Sequence, residues 1–194
     1  MIGVKYGKCG CDLCSPASTT SKHVMIDVES LGNNNDSQLL SIGACLFDGK
    51  GAILRTFYRV IDLEENTHVK ATPSTLAFWV DQGPGLLELL NDRDRKPEFE
   101  VLYDLAAWIS EIGNTVELWA NGGKFDISTL ESLYKSYDSP IPWEYNADRC
   151  MRTLRFFAGK LDIDYEGRPH HALDDAVWQA KYVAAACERL GLTL

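Results

Sequence analysis

His23-Val24-Met25-Ile26-Asp27-Val28-Glu29-Ser30-Leu31-Gly32 carries the period of a β-strand, with Val24, Ile26 and Val28 alternating with Met25, Asp27 and Glu29. Residues two apart share a strand face, so Asp27 and Glu29 point the same way. Two carboxylates side by side raise each other's pKa unless a positive charge lies between them. A hard divalent cation supplies that charge, and carboxylate oxygen suits magnesium or manganese. For Asp-x-Glu alone, a strand with one solvated acidic face is the alternative.

Outward from this strand, Leu39 to Phe47 and Ile53 to Ile61 read as two more, joined by the hairpin turn Asp48-Gly49-Lys50-Gly51. The three suggest an antiparallel meander. Pro73 is placed to start a short helix over Ser74 to Gln82, carrying Leu76, Phe78 and Trp79. Gly83-Pro84-Gly85 breaks it, Leu86 to Leu90 resumes, and a charged loop leads to an amphipathic helix over Phe99 to Ile112. Val116 to Ala120 is a strand bounded by Asn121-Gly122-Gly123, after which Asp126 opens a helix with Ile127, Leu130, Leu133 and Tyr134 apolar. Trp143-Glu144-Tyr145 predicts a short fifth strand, and Asp148 a cap for a helix over Arg149 to Phe157. The last helix runs from about Ala172 to Leu190. The chain is therefore α/β, a mixed five-stranded sheet (the meander plus further strands) flanked by helices. Residues 23–194 form one domain behind a cysteine-containing extension at 1–22.

Two further fragments carry candidate chemistry. Asp126 stands where a strand ends and a helix begins, as an N-cap or first-turn acid of that helix or as a carboxylate reaching a metal on the neighbouring strand. His170 lies on a loop just before the helix that holds Asp175 in its first turns. The carboxylate could complete a metal shell while the imidazole takes a proton from water. The plainer alternatives are a solvated loop histidine and a helix-dipole acid. His171 is an internal control, with no obvious partner at matching spacing. Arg149, Arg152 and Arg155 share one face at three-residue spacing, either solvated and salt-bridged or in contact with phosphate.

Asp-x-Glu, then Asn121-x-x-x-Phe125-Asp126, then His170-x-x-x-x-Asp175, in this order, resembles the DEDDh family of 3′-to-5′ exonucleases. The resemblance spans roughly residues 22–190. Leu39-Leu40-Ser41-Ile42-Gly43-Ala44, Trp119-Ala120-Asn121-Gly122 and Arg149-Cys150-Met151-Arg152-Thr153-Leu154 are most similar to the branch with a mycobacterial poly(A)-degrading exoribonuclease and many phage proteins. It implies a ribonuclease H-like fold, with Asp27, Glu29, Asp126 and Asp175 as ligands of two Mg²⁺ or Mn²⁺ and His170 as general base. It further implies Ser30, Leu31, Asn121 and Phe125 as substrate-binding residues, and nucleoside 5′-monophosphates as products. Ser30 departs from the threonine of many relatives but keeps the hydroxyl. Relatives in this branch are often dimers whose partner helps build the site, which residues 143–155 would suit, so a homodimer is expected. All five chemical positions are filled, which argues against a non-catalytic binding module on the same fold. RNA is the expected substrate; a DNA exonuclease of repair or proofreading is the alternative.

Composition bounds the rest. With 194 residues, 45% hydrophobic and 24% charged, the chain has the make-up of a soluble globular domain. No apolar run reaches membrane-spanning length and no signal-peptide pattern opens the chain, so a cytoplasmic protein (in the host cytoplasm if phage-encoded) with no membrane partner is expected. The net charge of −9 argues against coating of long duplexes. A short single-stranded 3′ end, gripped through metal, backbone amides and stacking, is the expected partner. Phe125 either stacks under a terminal base or belongs to the core. Cys45, Cys150 and Cys187 read as small buried hydrophobes. Cys9, Cys11 and Cys14 crowd into six residues, a flexible tail with reactive thiols or else a metal knuckle short of ligands or a dimer contact.

Overall fold

The computed structural model describes residues 22–64, 70–113 and 115–194, so Cys9, Cys11 and Cys14 lie outside the described residues. The alternating stretch forms β1 (Lys22–Ser30), followed by β2 (Leu39–Phe47) and β3 (Ile53–Val60). β1 pairs antiparallel with β2, and β2 with β3, which is the expected meander. Asp48 closes the hairpin by accepting the Lys50 and Ala52 N–H groups at 2.9 Å. The chain continues through α1 (Pro73–Asp81), α2 (Gly85–Leu90) and α3 (Glu98–Ile112) to β4 (Val116–Ala120) and α4 (Asp126–Ser136). β5 (Asp148–Cys150), α5 (Met151–Ala158) and α6 (Ala172–Leu190) complete it. The sheet order is β3-β2-β1-β4-β5, with β4 parallel to β1 and to β5.

The period of two in β1 divides the core. Val24, Ile26 and Val28 pack on one face with Val101, Leu105 and Ile109 of α3 and Leu130 of α4. Met25 faces the other way, onto Ala176, Ala180 and Val183 of α6. Asp27 and Glu29 share the parity of Met25 and so lie on the α6 face. A third cluster joins Leu31, Leu40 and Val60 to Trp79 and Leu89. There the Trp79 indole donates to the Ser30 carbonyl at 2.9 Å and ties α1 to the end of β1. Pro73 opens α1 as expected, and Thr72 caps it.

Three local expectations are corrected. The fifth strand is Asp148–Cys150, not Trp143 to Tyr145. Trp143 is instead buried edge-on against Tyr134, with centroids 5.8 Å apart, so its apolar character serves packing rather than pairing. Asp148 belongs to that strand and caps nothing, since α5 starts at Met151 behind Cys150. Arg149 accordingly sits on the strand and does not share a helical face with Arg152 and Arg155. Cys45 and Cys187 are buried as expected, whereas Cys150 is only half-buried. Among the described residues no helix is long and apolar enough to cross a membrane.

Candidate active site

Asp27 sits opposite Gly43 in the β1–β2 register. A Cβ on Gly43 would lie 2.2 Å from the backbone of Ala172 and Leu173, so only glycine lets the start of α6 settle against the sheet at this point. That close approach delivers two α6 side chains to β1. Gln179 donates its amide to Asp27 Oδ1 at 2.7 Å, and Asp175 comes beside Glu29. Ligand atoms of Glu29, Asp175 and His170 all lie within 4.8 Å of one another.

The loop before α6 fixes the histidine. His170 adopts φ 61°, a left-handed conformation uncommon for a side-chain-bearing residue. Its N–H donates to Asp175 Oδ2 at 3.2 Å, and its ring meets the edge of Phe78, with centroids 4.8 Å apart. His171 has partners that sequence spacing did not reveal: it caps α6 by accepting the Asp174 N–H, and it stacks on Tyr58 at 4.3 Å. The pair is thus divided between a ring turned to the carboxylates and a ring that holds the helix.

Asp126 is a first-turn acid of α4, one of its two expected structural roles; the cap position is held by Phe125. Its Oδ1 accepts the Val28 N–H at 3.4 Å, which ties α4 to β1 beside Asp27. Asp27, Asp126, Asn121 and Phe125 line one cavity of about 520 Å³ together with Arg152. Phe125 also packs against the main core, the plainer of its two expected roles. Ser30 commits its hydroxyl to the Gly32 carbonyl at 2.7 Å. Leu31, 5% exposed, packs into the Trp79 cluster.

The electrostatics follow from burial of like charges. Burial raises the Asp27 carboxyl well above its ordinary range; the Asp126, Glu29 and Asp175 charges add to this, and the Gln179 amide opposes it. Burial, then Asp175 and Asp126, pushes Glu29 up to about 8. Asp126 rises to about 6 by burial, against the pull of backbone N–H groups and Arg152. Asp175 is also raised by burial, opposed by the Tyr165 hydroxyl that donates to its Oδ1. Among the described residues no hydrogen bond or ion pair reaches the Glu29 carboxylate. Two buried and two half-buried carboxylates, with no side-chain cation paired to them and Glu29 without any partner among the described residues, fit a divalent cation: the donors are hard oxygens, and a bound cation would remove the repulsion. Gln179 and Tyr165 were not anticipated from sequence, because an amide one helical turn past Asp175 and a loop tyrosine carry no local signal.

A five-stranded mixed sheet with a carboxylate cluster at the centre, on β1, and further acids from α4 and α6 defines a nuclease of ribonuclease H-like fold. The chain belongs to the family described as the 3′-5′ exoribonuclease Rv2179c-like domain, which it matches over residues 22–187. Solved structures share the fold. An exonuclease I structure superposes with a TM-score of 0.66 at 12% identity, covering 88% of this chain and 42% of the other. E. coli exonuclease I in complex with a dA16 oligonucleotide gives 0.67 at 9% identity, over 88% and 42%. The Mg²⁺- and Mn²⁺-bound form of S. pombe Pop2p gives 0.55 at 15% identity, over 86% and 83%. This chain thus spans less than half the length of the exonuclease I chains. Comparison with curated protein sequences finds no significant match.

Proposed function

We propose that the enzyme removes nucleoside 5′-monophosphates from single-stranded RNA 3′ ends, using two Mg²⁺ or Mn²⁺ ions and His170 as general base. One observation carries this reading: the acids fall into two groups that meet at Asp27. Glu29 and Asp175 gather with His170 within 4.8 Å, while Asp126 joins Asp27 along the adjoining cavity. Asp27 lies between, its carboxyl pushed up by burial and further by the charges of all three other acids. Glu29 and Asp175 would hold one ion, Asp126 the other, and Asp27 both. Ions bound there would supply Lewis-acid activation of water and charge stabilisation for the leaving 3′-oxygen. His170, held over the Glu29–Asp175 pair, takes the proton from the attacking water. Phe125 and Asn121, along the cavity, orient the strand.

RNA is supported by the family to which the chain belongs. DNA is the second reading, favoured by the DNA-bound exonuclease I that shares the fold. The sugar is discriminated by contacts to the 2′-hydroxyl rather than by a carboxylate site that reads phosphate. Digestion of matched end-labelled RNA and DNA, single-stranded and 3′-overhanging, with Mg²⁺, Mn²⁺ or chelator tests both. Stepwise shortening of RNA from its 3′ end, abolished by chelator, is expected. Faster shortening of DNA would transfer the assignment to DNA, and no shortening with either ion would overturn it.

A further inference from the structure

Arg149, Arg152 and Arg155 look alike in sequence and meet three different fates. Arg149, on β5, pairs with Glu117 of β4 and donates to the Asn146 and Asp148 carbonyls at 2.7 Å. Arg155 lies over the Tyr182 ring, 5.5 Å from its centroid. The exposed Arg152 guanidinium has neither an ion pair nor a hydrogen bond among the described residues. It lines the cavity of about 520 Å³ that holds Asp27 and Asp126, and exposed Lys124 lines the same cavity. Gly122 leaves room for it, since a Cβ there would lie 3.3–3.5 Å from the guanidinium atoms. Asn33 and Asn35 form another part of the wall. In a chain of net charge −9, two uncommitted cations in the cavity beside the carboxylates are placed where a second anion is expected.

We propose that Arg152, with Lys124 beside it, binds the phosphate immediately 5′ of the scissile one and so sets the register of the strand. This rests on the carboxylate site proposed above. The reacting phosphate belongs at Asp27 with Glu29, Asp175 and His170, none of the last three of which lines the Arg152 cavity. A 3′-end exonuclease has a single nucleotide beyond the scissile bond, so every other phosphate lies on the 5′ side. The guanidinium fork matches two phosphate oxygens, which a lysine at the same position does only as a point charge. A purely local role is the competing account, in which Arg152 offsets the Asp126 charge.

The test uses single-stranded oligomers in which one phosphate is replaced by a neutral methylphosphonate. The replacement is made at the second linkage from the 3′ end or, as a control, at the fourth. Loss of a charge-assisted contact corresponds to about tenfold in binding. Arg152→Ala is expected to raise KM about tenfold on the all-phosphate oligomer with kcat nearly unchanged, and Arg152→Lys to recover part of this. The second-linkage replacement is expected to raise the wild-type KM by a similar factor relative to the control and to add nothing in Arg152→Ala. Full additivity of the two changes, or an Arg152→Ala defect in kcat with weaker Mn²⁺ binding, would overturn the proposal in favour of the local role. Asp27→Asn, assayed alongside, separates the two levels: retained activity would sink the carboxylate site, whereas the Arg152 contact is read from the KM ratios.

Discussion

His170 and His171 are neighbours in the chain, yet their substitution should fail in different ways. His170→Ala removes the ring beside Glu29 and Asp175. As a general base it is worth about 10²–10⁴-fold in rate, so kcat should fall in that range while the thermal midpoint and Mn²⁺ affinity stay close to wild type. A variant that keeps its kcat would remove His170 from that role. His171→Ala takes away the α6 cap and the stack on Tyr58, which costs about 1 kcal/mol of stability through the cap alone. It should unfold at lower denaturant while the folded fraction still cleaves. Gln179 is a third case. It is 4% exposed, donates to Asp27 and leaves its Oε1 without a partner among the described residues. Such orienting partners typically contribute 10–100-fold to metal affinity. Gln179→Leu keeps the volume and loses the amide, so calorimetric titration should show Mn²⁺ binding weakened at least about tenfold; unchanged affinity would make the amide a space-filler.

Among the elements, β1 and α6 matter most to the site, and they were legible in unequal measure. β1 announces itself because its period of two runs through both core faces, and α6 because Ala176, Ala180, Val183 and Cys187 recur at helical spacing over its length. The short β5 was misplaced: three residues contain too little pattern to outvote the apolar Trp143 nearby, whose burial against Tyr134 depends on a distant helix. The five acid and histidine positions could be read because their spacing is local to each fragment. What joins the fragments could not, because the fit of Gly43 under Ala172 and the reach of Gln179 to Asp27 are properties of packing. That fit makes a prediction about an element rather than a side chain. Gly43→Ala puts a methyl 2.2 Å from α6 backbone, which no rotamer change can relieve. Overpacking of this kind costs typically about 1–3 kcal/mol, and the start of α6 must lift, carrying Asp175 from Glu29. Both the denaturation midpoint and the specific activity should fall. Loss of stability with full activity would mean that α6 can slide without moving its carboxylate.

For the molecule as a whole, four clustered acids with raised pKa values in a chain already at net charge −9 link folding to pH and to metal. Without metal, Glu29 is raised from 4.5 to about 8, so the folded state holds a proton that the unfolded state releases. With the native state binding more protons, stability falls as pH rises between those values, by up to about 1.4 kcal/mol per pH unit for one group. Asp27, also raised, acts with the same sign. His23 and His171 act oppositely: burial lowers both from 6.5, so they add stability as pH rises toward 6.5 and contribute little above it. Asp126, raised to about 6, has completed its change by then. Over the window from about pH 6.5 to 8 Glu29 therefore leads the decline, with Asp27 and Asp175, both also raised, acting in the same direction. In chelator, the thermal midpoint should decline across this window, and Glu29→Gln should flatten much of the decline. Saturating Mg²⁺ binds the deprotonated acids and should reverse the trend, with the largest metal-induced rise at the alkaline end. A midpoint in chelator that stays level from pH 6.5 to 8, with a metal-induced rise independent of pH, would show that the four carboxylates are not the groups the metal binds.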